Sequence, residues 1–134
     1  MSKPAFSLLV FSIYMFTLGS VLVTIPNVLL SLFNVAETQE VWIRVVGMLI
    51  LLLGYLDLMA SRNELLAYFR WSVPVRLSVI VFFLAFVVLG FAPPVLILFG
   101  AIDASAAIWT AVCLRLDGLA QTSAHADQPG ADGR

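Results

Sequence analysis

Residues 40–60 read EVWIRVVGMLILLLGYLDLMA, with Arg44 and Asp57 as the only charges beyond the first position. An α-helix needs about 20 mostly apolar residues to cross ~30 Å of hydrocarbon, and this run has that length. Lipid offers no partner to backbone N–H and C=O groups, so only helices and closed barrels can span it. The run lacks the strict alternation of a barrel strand and therefore reads as a helix. At 100° per residue, Arg44, Gly47, Gly54 and Asp57 share an arc of about 140°. That arc should face protein, because lipid would strand the charges.

Three further runs of the same kind flank this one, near Ala5–Thr24, Leu77–Ala92 and Val95–Leu114. The fold class they predict is all-α, a membrane-embedded four-helix bundle. Composition agrees: 62% of the 134 residues are apolar and 11% charged, against about 45–50% and 25% in ordinary globular domains. The run after Lys3 is too long for a signal-peptide core and has no small-x-small cleavage site behind it, so it is read as a span. A net charge of −1 without clustered Lys and Arg gives no nucleic-acid partner. The single cysteine, Cys113, allows no internal disulfide or thiolate cluster and is read as a core residue.

Between the spans the sequence predicts two short interfacial helices. A continuous helix from Ala5 to Phe33 would be about 43 Å long, and Pro26 removes a hydrogen bond inside it, so a bend and a separate helix Pro26–Phe33 are expected. Ser61-Arg62-Asn63-Glu64 resembles a capping box opening a second one, from Leu65 to Trp71. The third span is the most uniformly apolar and should be the most lipid-exposed. In the fourth, Gly100, Ala104, Ala107 and Ala111 form a small-residue stripe suited to close helix approach. The four-span domain is expected over residues 1–116. Residues 117–134, which include the only histidine, His125, read as a disordered cytoplasmic tail. Lys3, Arg62, Arg70, Arg76 and Arg115 fall on one side, which places both termini in the cytoplasm and the bundle in the cell (inner) membrane.

Charged groups within spans cost roughly 2.5–3.5 kcal/mol each on insertion scales, so each needs a partner or a wet cavity. Arg44 lies about 6 Å below the outer boundary and Asp103 about 13 Å, a gap that an arginine side chain closes. An Arg44–Asp103 pair is therefore predicted. Asp57 is level with Arg76 or Arg115, and an Asp57–Arg76 pair is preferred. These four residues are the candidate site, either as ligand-binding groups or as charge pairs that fix helix register. Tyr14, Trp42 and Trp109 are candidate cavity-lining residues, and Trp42 and Trp71 read as interfacial anchors. No phosphate loop, metal-ligand spacing or catalytic triad stands out in the sequence, so no catalytic residue, metal or cofactor is assigned.

The Pro26 break, Trp42-Ile43-Arg44-Val45-Val46-Gly47 followed by Gly54, the arginine-bearing middle loop and Phe99-Gly100-Ala101-Ile102-Asp103 together resemble the DoxX-like group of small bacterial four-helix membrane proteins. The likeness covers about residues 5–115. It implies the four-helix fold, and some members of that group are membrane subunits associated with oxidoreductases. Three functions fit the sequence. The favoured one is a non-enzymatic bundle that associates with a membrane protein partner or a second copy, or binds a lipid-like ligand. The alternatives are a small oligomeric transporter or channel, and an intramembrane enzyme of lipid or quinone chemistry.

Overall fold

The computed structural model describes residues 1–126. Five helices follow one another: α1 (Lys3–Thr24), α2 (Pro26–Leu32), α3 (Trp42–Arg62), α4 (Leu66–Val88) and α5 (Val95–Ala126). Four of them, α1, α3, α4 and α5, are long and apolar enough to cross a membrane. The protein is thus a multi-pass membrane protein, with one end of the bundle at Lys3 and the other at Pro26.

α1 is the hub: it packs along α3 and α5, while α4 packs mainly on α5 and hardly meets α3. Glycines set the closeness of the α1–α3 contact. A Cβ at Gly47 would lie 2.8 Å from Leu22 Cβ, 2.9 Å from the Val23 amide nitrogen and 3.0 Å from the Gly19 carbonyl oxygen. Gly54 lies equally tight against Met15, with a Cβ reaching within 2.9 Å of that residue's own Cβ. In lipid, where apolar surface gains nothing by leaving solvent, such backbone approach is what holds helices together. Hydroxyls add to it. Ser7 and Thr110 join α1 to α5 at 3.0 Å, and Ser61 Oγ donates to the Ala5 carbonyl at 2.6 Å.

Pro26 separates α2 from α1 as the sequence predicts, with the intervening Ile25 outside helical geometry. α2 and the segment after it fold over the Pro26 end of the bundle. Asn27 Oδ1 accepts a hydrogen bond from the Thr38 amide, and the Phe33 ring meets Phe99 edge-on at 5.5 Å.

Two expectations are revised. The segment Leu65–Trp71 is helical, but it is not a separate interfacial helix: α4 starts at Leu66 and runs through Pro74. A proline inside a helix removes one hydrogen bond, whereas breaking the helix within lipid would leave several backbone groups unpaired. Ser61 accordingly lies inside α3 instead of capping a new helix. The turn is made by Glu64, which adopts a left-handed φ of 49° while the Leu65 amide reaches back to the Ala60 carbonyl. Glu64 is held there by its carboxylate, which accepts the Ser2 amide at 2.9 Å. The second revision concerns the tail. α5 continues past Leu114 to Ala126, carried by the helix-favouring Leu, Ala and Gln residues there, so part of the segment read as disordered is helical. The rest of that segment and the His125 side chain lie outside the described residues. α4 buries the smallest share of its apolar window, in line with its expected lipid exposure.

Substituting Gly47 by alanine should lower stability by about 1–3 kcal/mol, because the new methyl meets backbone on two sides. Gly118, with nothing within 4 Å of its would-be Cβ, should accept alanine with a gain of up to about 1 kcal/mol. Unfolding in mixed micelles of rising dodecyl sulfate content checks both; equal midpoints for the two variants would contradict the close α1–α3 contact.

Candidate functional site

Arg76 stands ten residues into α4, about 15 Å from its start, and so near the middle of that helix. Its Nε donates to Asp103 Oδ1 on α5 at 3.3 Å, and its guanidinium carbon sits 3.5 Å above the centroid of the Phe11 ring of α1. The residue is only 6% exposed. A guanidinium carries five N–H donors, and among the described residues neither Nη1 nor Nη2 has a hydrogen-bond partner. The face of the Phe11 ring offsets part of this, since a ring quadrupole attracts a desolvated cation.

On the Lys3 side of this pair, Tyr68 Oη donates to Asp57 Oδ1 at 2.8 Å. This is the one side-chain hydrogen bond between α3 and α4 among the described residues. Tyr14 lies beside Phe11, their rings 5.7 Å apart. All four spans therefore contribute to one polar layer, in which two carboxylates face a single guanidinium.

The pairing differs from the one the sequence suggests. Asp103 is matched by Arg76, not by Arg44, and Asp57 by Tyr68. Arg44 goes instead to the end of α1, where its Nη1 donates to the carbonyls of Val23 and Thr24. The reason is local. Pro26 and the irregular Ile25 end the helical ladder, leaving the last carbonyls of α1 without amide partners at the negative end of its dipole, where a cation is favoured. Arg44 also enters α3 only two residues after its start, closer to those carbonyls than to Asp103. Arg76, counted as a loop charge when the third span is started at Leu77, proves to be an interior residue because α4 begins eleven residues earlier.

Above the polar layer, toward the Pro26 end, the separation of α3 and α4 leaves a cavity of about 430 Å³. Leu18 of α1, Leu30 of α2 and Phe33 just after it, Ile50 of α3, Phe83 of α4 and Phe99 of α5 supply its apolar wall, and the polar side chains among its lining residues are Tyr14 and Asp103. By helical rise these two lie about 12–15 Å below the Pro26 end, at the deep end of the cavity. Asp103 accepts one hydrogen bond, and its side chain keeps 21% exposure.

Tyr14 is thus where the sequence suggests. The two tryptophans proposed with it are not: Trp42 is 69% exposed at the start of α3, a position suited to an interfacial anchor. Trp109 packs edge-on against Phe6 and borders a separate groove near Lys3 and Cys113. Cys113 is buried, in keeping with a core role. Phe11 and Tyr68 escape the sequence reading. Taking α4 as one helix exposes the signal, because Phe69 and Arg76, both buried, are seven residues apart on one stripe that faces the bundle interior. No family model, curated protein or solved structure matches this chain.

Arg76→Met should cost on the order of 3–5 kcal/mol, since it leaves Asp103 without a countercharge. The double variant Arg76→Met/Asp103→Leu should recover most of that loss, because an apolar pair of similar volume replaces a buried ion pair at little cost. Arg44→Met should cost less, about 1.5–3 kcal/mol, the net worth of hydrogen bonds from a charged donor. The same micelle titration ranks them, and a larger effect at Arg44 than at Arg76 would sink this assignment.

Proposed function

We propose that this protein is a non-enzymatic membrane bundle that holds a lipid-like molecule in the cavity between α3, α4 and α5. The observation that carries the reading is the cavity itself: about 430 Å³, walled by apolar side chains, with Tyr14 and Asp103 grouped at its deep end. Small-molecule sites have this make-up, an apolar wall of roughly 300–1,000 Å³ with few converging polar groups. Binding is favoured over turnover because Asp103 is already engaged by Arg76, and the lining offers no nucleophile beside a base. The cationic side chains Lys3, Arg62, Arg70 and Arg115 gather toward the Lys3 end, so we place that end on the cytoplasmic side of a bacterial inner membrane.

Ile50→Trp tests the reading by filling the cavity from the α3 wall. Wild-type protein purified in mild detergent should carry a defined lipid-like species in mass spectrometry, and the variant should lose most of it while keeping its unfolding midpoint. An unchanged set of co-purified molecules in a folded variant would refute cavity binding.

A further inference from the structure

We propose that the bound molecule is a single-chain amphiphile that enters sideways between α3 and α4, head first, and donates a hydrogen bond from its head group to Asp103. This rests on the cavity-binding reading above and assigns the chemistry of the ligand and its route.

The route follows from how the cavity is enclosed. At the Pro26 end it is covered by Leu29 and Leu30 of α2 and by Phe33 just after it, which form a roof, and Phe33 is pinned against Phe99. Its floor is α1. Its side walls are Ile50 and Leu53 of α3 and Phe83 of α4, two helices that scarcely touch each other. They are tied near the Lys3 end by the Tyr68–Asp57 hydrogen bond and stand apart above it. Hydrocarbon of the bilayer therefore lies directly against the opening, and an amphiphile already dissolved in the membrane reaches the cavity without crossing water.

The head group follows from charge and hydrogen bonding at the deep end. Asp103 Oδ1 takes the Arg76 Nε, and no second donor reaches this carboxylate among the described residues. The carboxylate thus has acceptor capacity to spare where it faces an apolar space, and a hydroxyl or ammonium head would use it. An anionic head is disfavoured. The layer already sets two carboxylates, Asp57 and Asp103, against one guanidinium, and the free nitrogens of Arg76 are buried on a residue that does not line the cavity. A diacyl phospholipid also fits poorly, because its phosphate must stay at the surface and its chain end would meet Asp103 and Tyr14.

The test uses the full-length protein in nanodiscs carrying, in turn, hexadecanol, its methyl ether or hexadecyl sulfate, with occupancy read by native mass spectrometry. Hexadecanol should bind at least about tenfold more tightly than either analogue, the effect of one hydrogen bond to a charged acceptor. Asp103→Asn, which keeps an acceptor for Arg76 but loses the charge, should reduce that preference several-fold. Arg76→Met/Asp103→Leu should abolish it. Equal binding of alcohol and ether that Ile50→Trp removes would overturn the head-group assignment and leave cavity binding intact. Alcohol binding that Ile50→Trp does not diminish, or no binding of any probe, would overturn both.

Discussion

The rest of this bundle is arranged around a guanidinium buried midway along α4. An arginine is always charged, and an isolated one within a span is costly by any scale. Arg76 takes its countercharge from α5 through Asp103, and its flat face rests on Phe11 of α1. These contacts fix the rotation of α4 against α5 and the level at which both meet α1. Shifting α4 by one turn, about 5.4 Å, would separate Arg76 from Asp103 and from the ring together. A buried ion pair is weak evidence for net stability, but it discriminates strongly among registers, and register is what four apolar helices otherwise lack.

The second constraint is where helices approach closely and where they do not. Gly19, Gly47 and Gly54 let α1 and α3 meet backbone to backbone. On the other side, Gly100 of α5 meets Ile80 and Phe83 of α4, with a would-be Cβ only 3.2 Å from the Ile80 Cα. Two tight pairs, α1 with α3 and α4 with α5, are thus joined through α1 and α5. α3 is left without a close contact to either α4 or α5. The cavity is the consequence of this pairing, and the Tyr68–Asp57 bond sets how far down it extends.

The sequence discloses the spans because each is a long apolar run, and the Pro26 break because a 43 Å helix would overrun the bilayer. It also discloses that Asp57 and Asp103 lie within spans, where they need partners. It does not disclose how they pair, since partner choice depends on helix rotation and on the true start of α4. The arginine and tyrosine of α4 are misplaced once Pro74 is read as a boundary. Single-sequence reading gives proline its usual weight as a breaker, while in lipid the demand that every backbone group be satisfied keeps the helix whole. Likewise Arg44 looks like an interior charge in need of an acid, because backbone carbonyls freed by a distant proline leave no mark at Arg44 itself.

That freed end of α1 links the two parts of the protein. Pro26 starts α2 and directs it across the bundle, but the break leaves the carbonyls of Val23 and Thr24 without amide partners inside the membrane boundary. Arg44 supplies donors to both from α3. The same contact ties the start of α3 to the root of α2, so the roof of the cavity is held on one side by Arg44 and on the other by Phe33 against Phe99. Arg44 thus bears on the cavity without lining it. Its charge satisfies the backbone that the roof had to break, while the charge at Arg76 orients the acid at the cavity's deep end. One arginine serves each end of the space, and neither is free to serve the other.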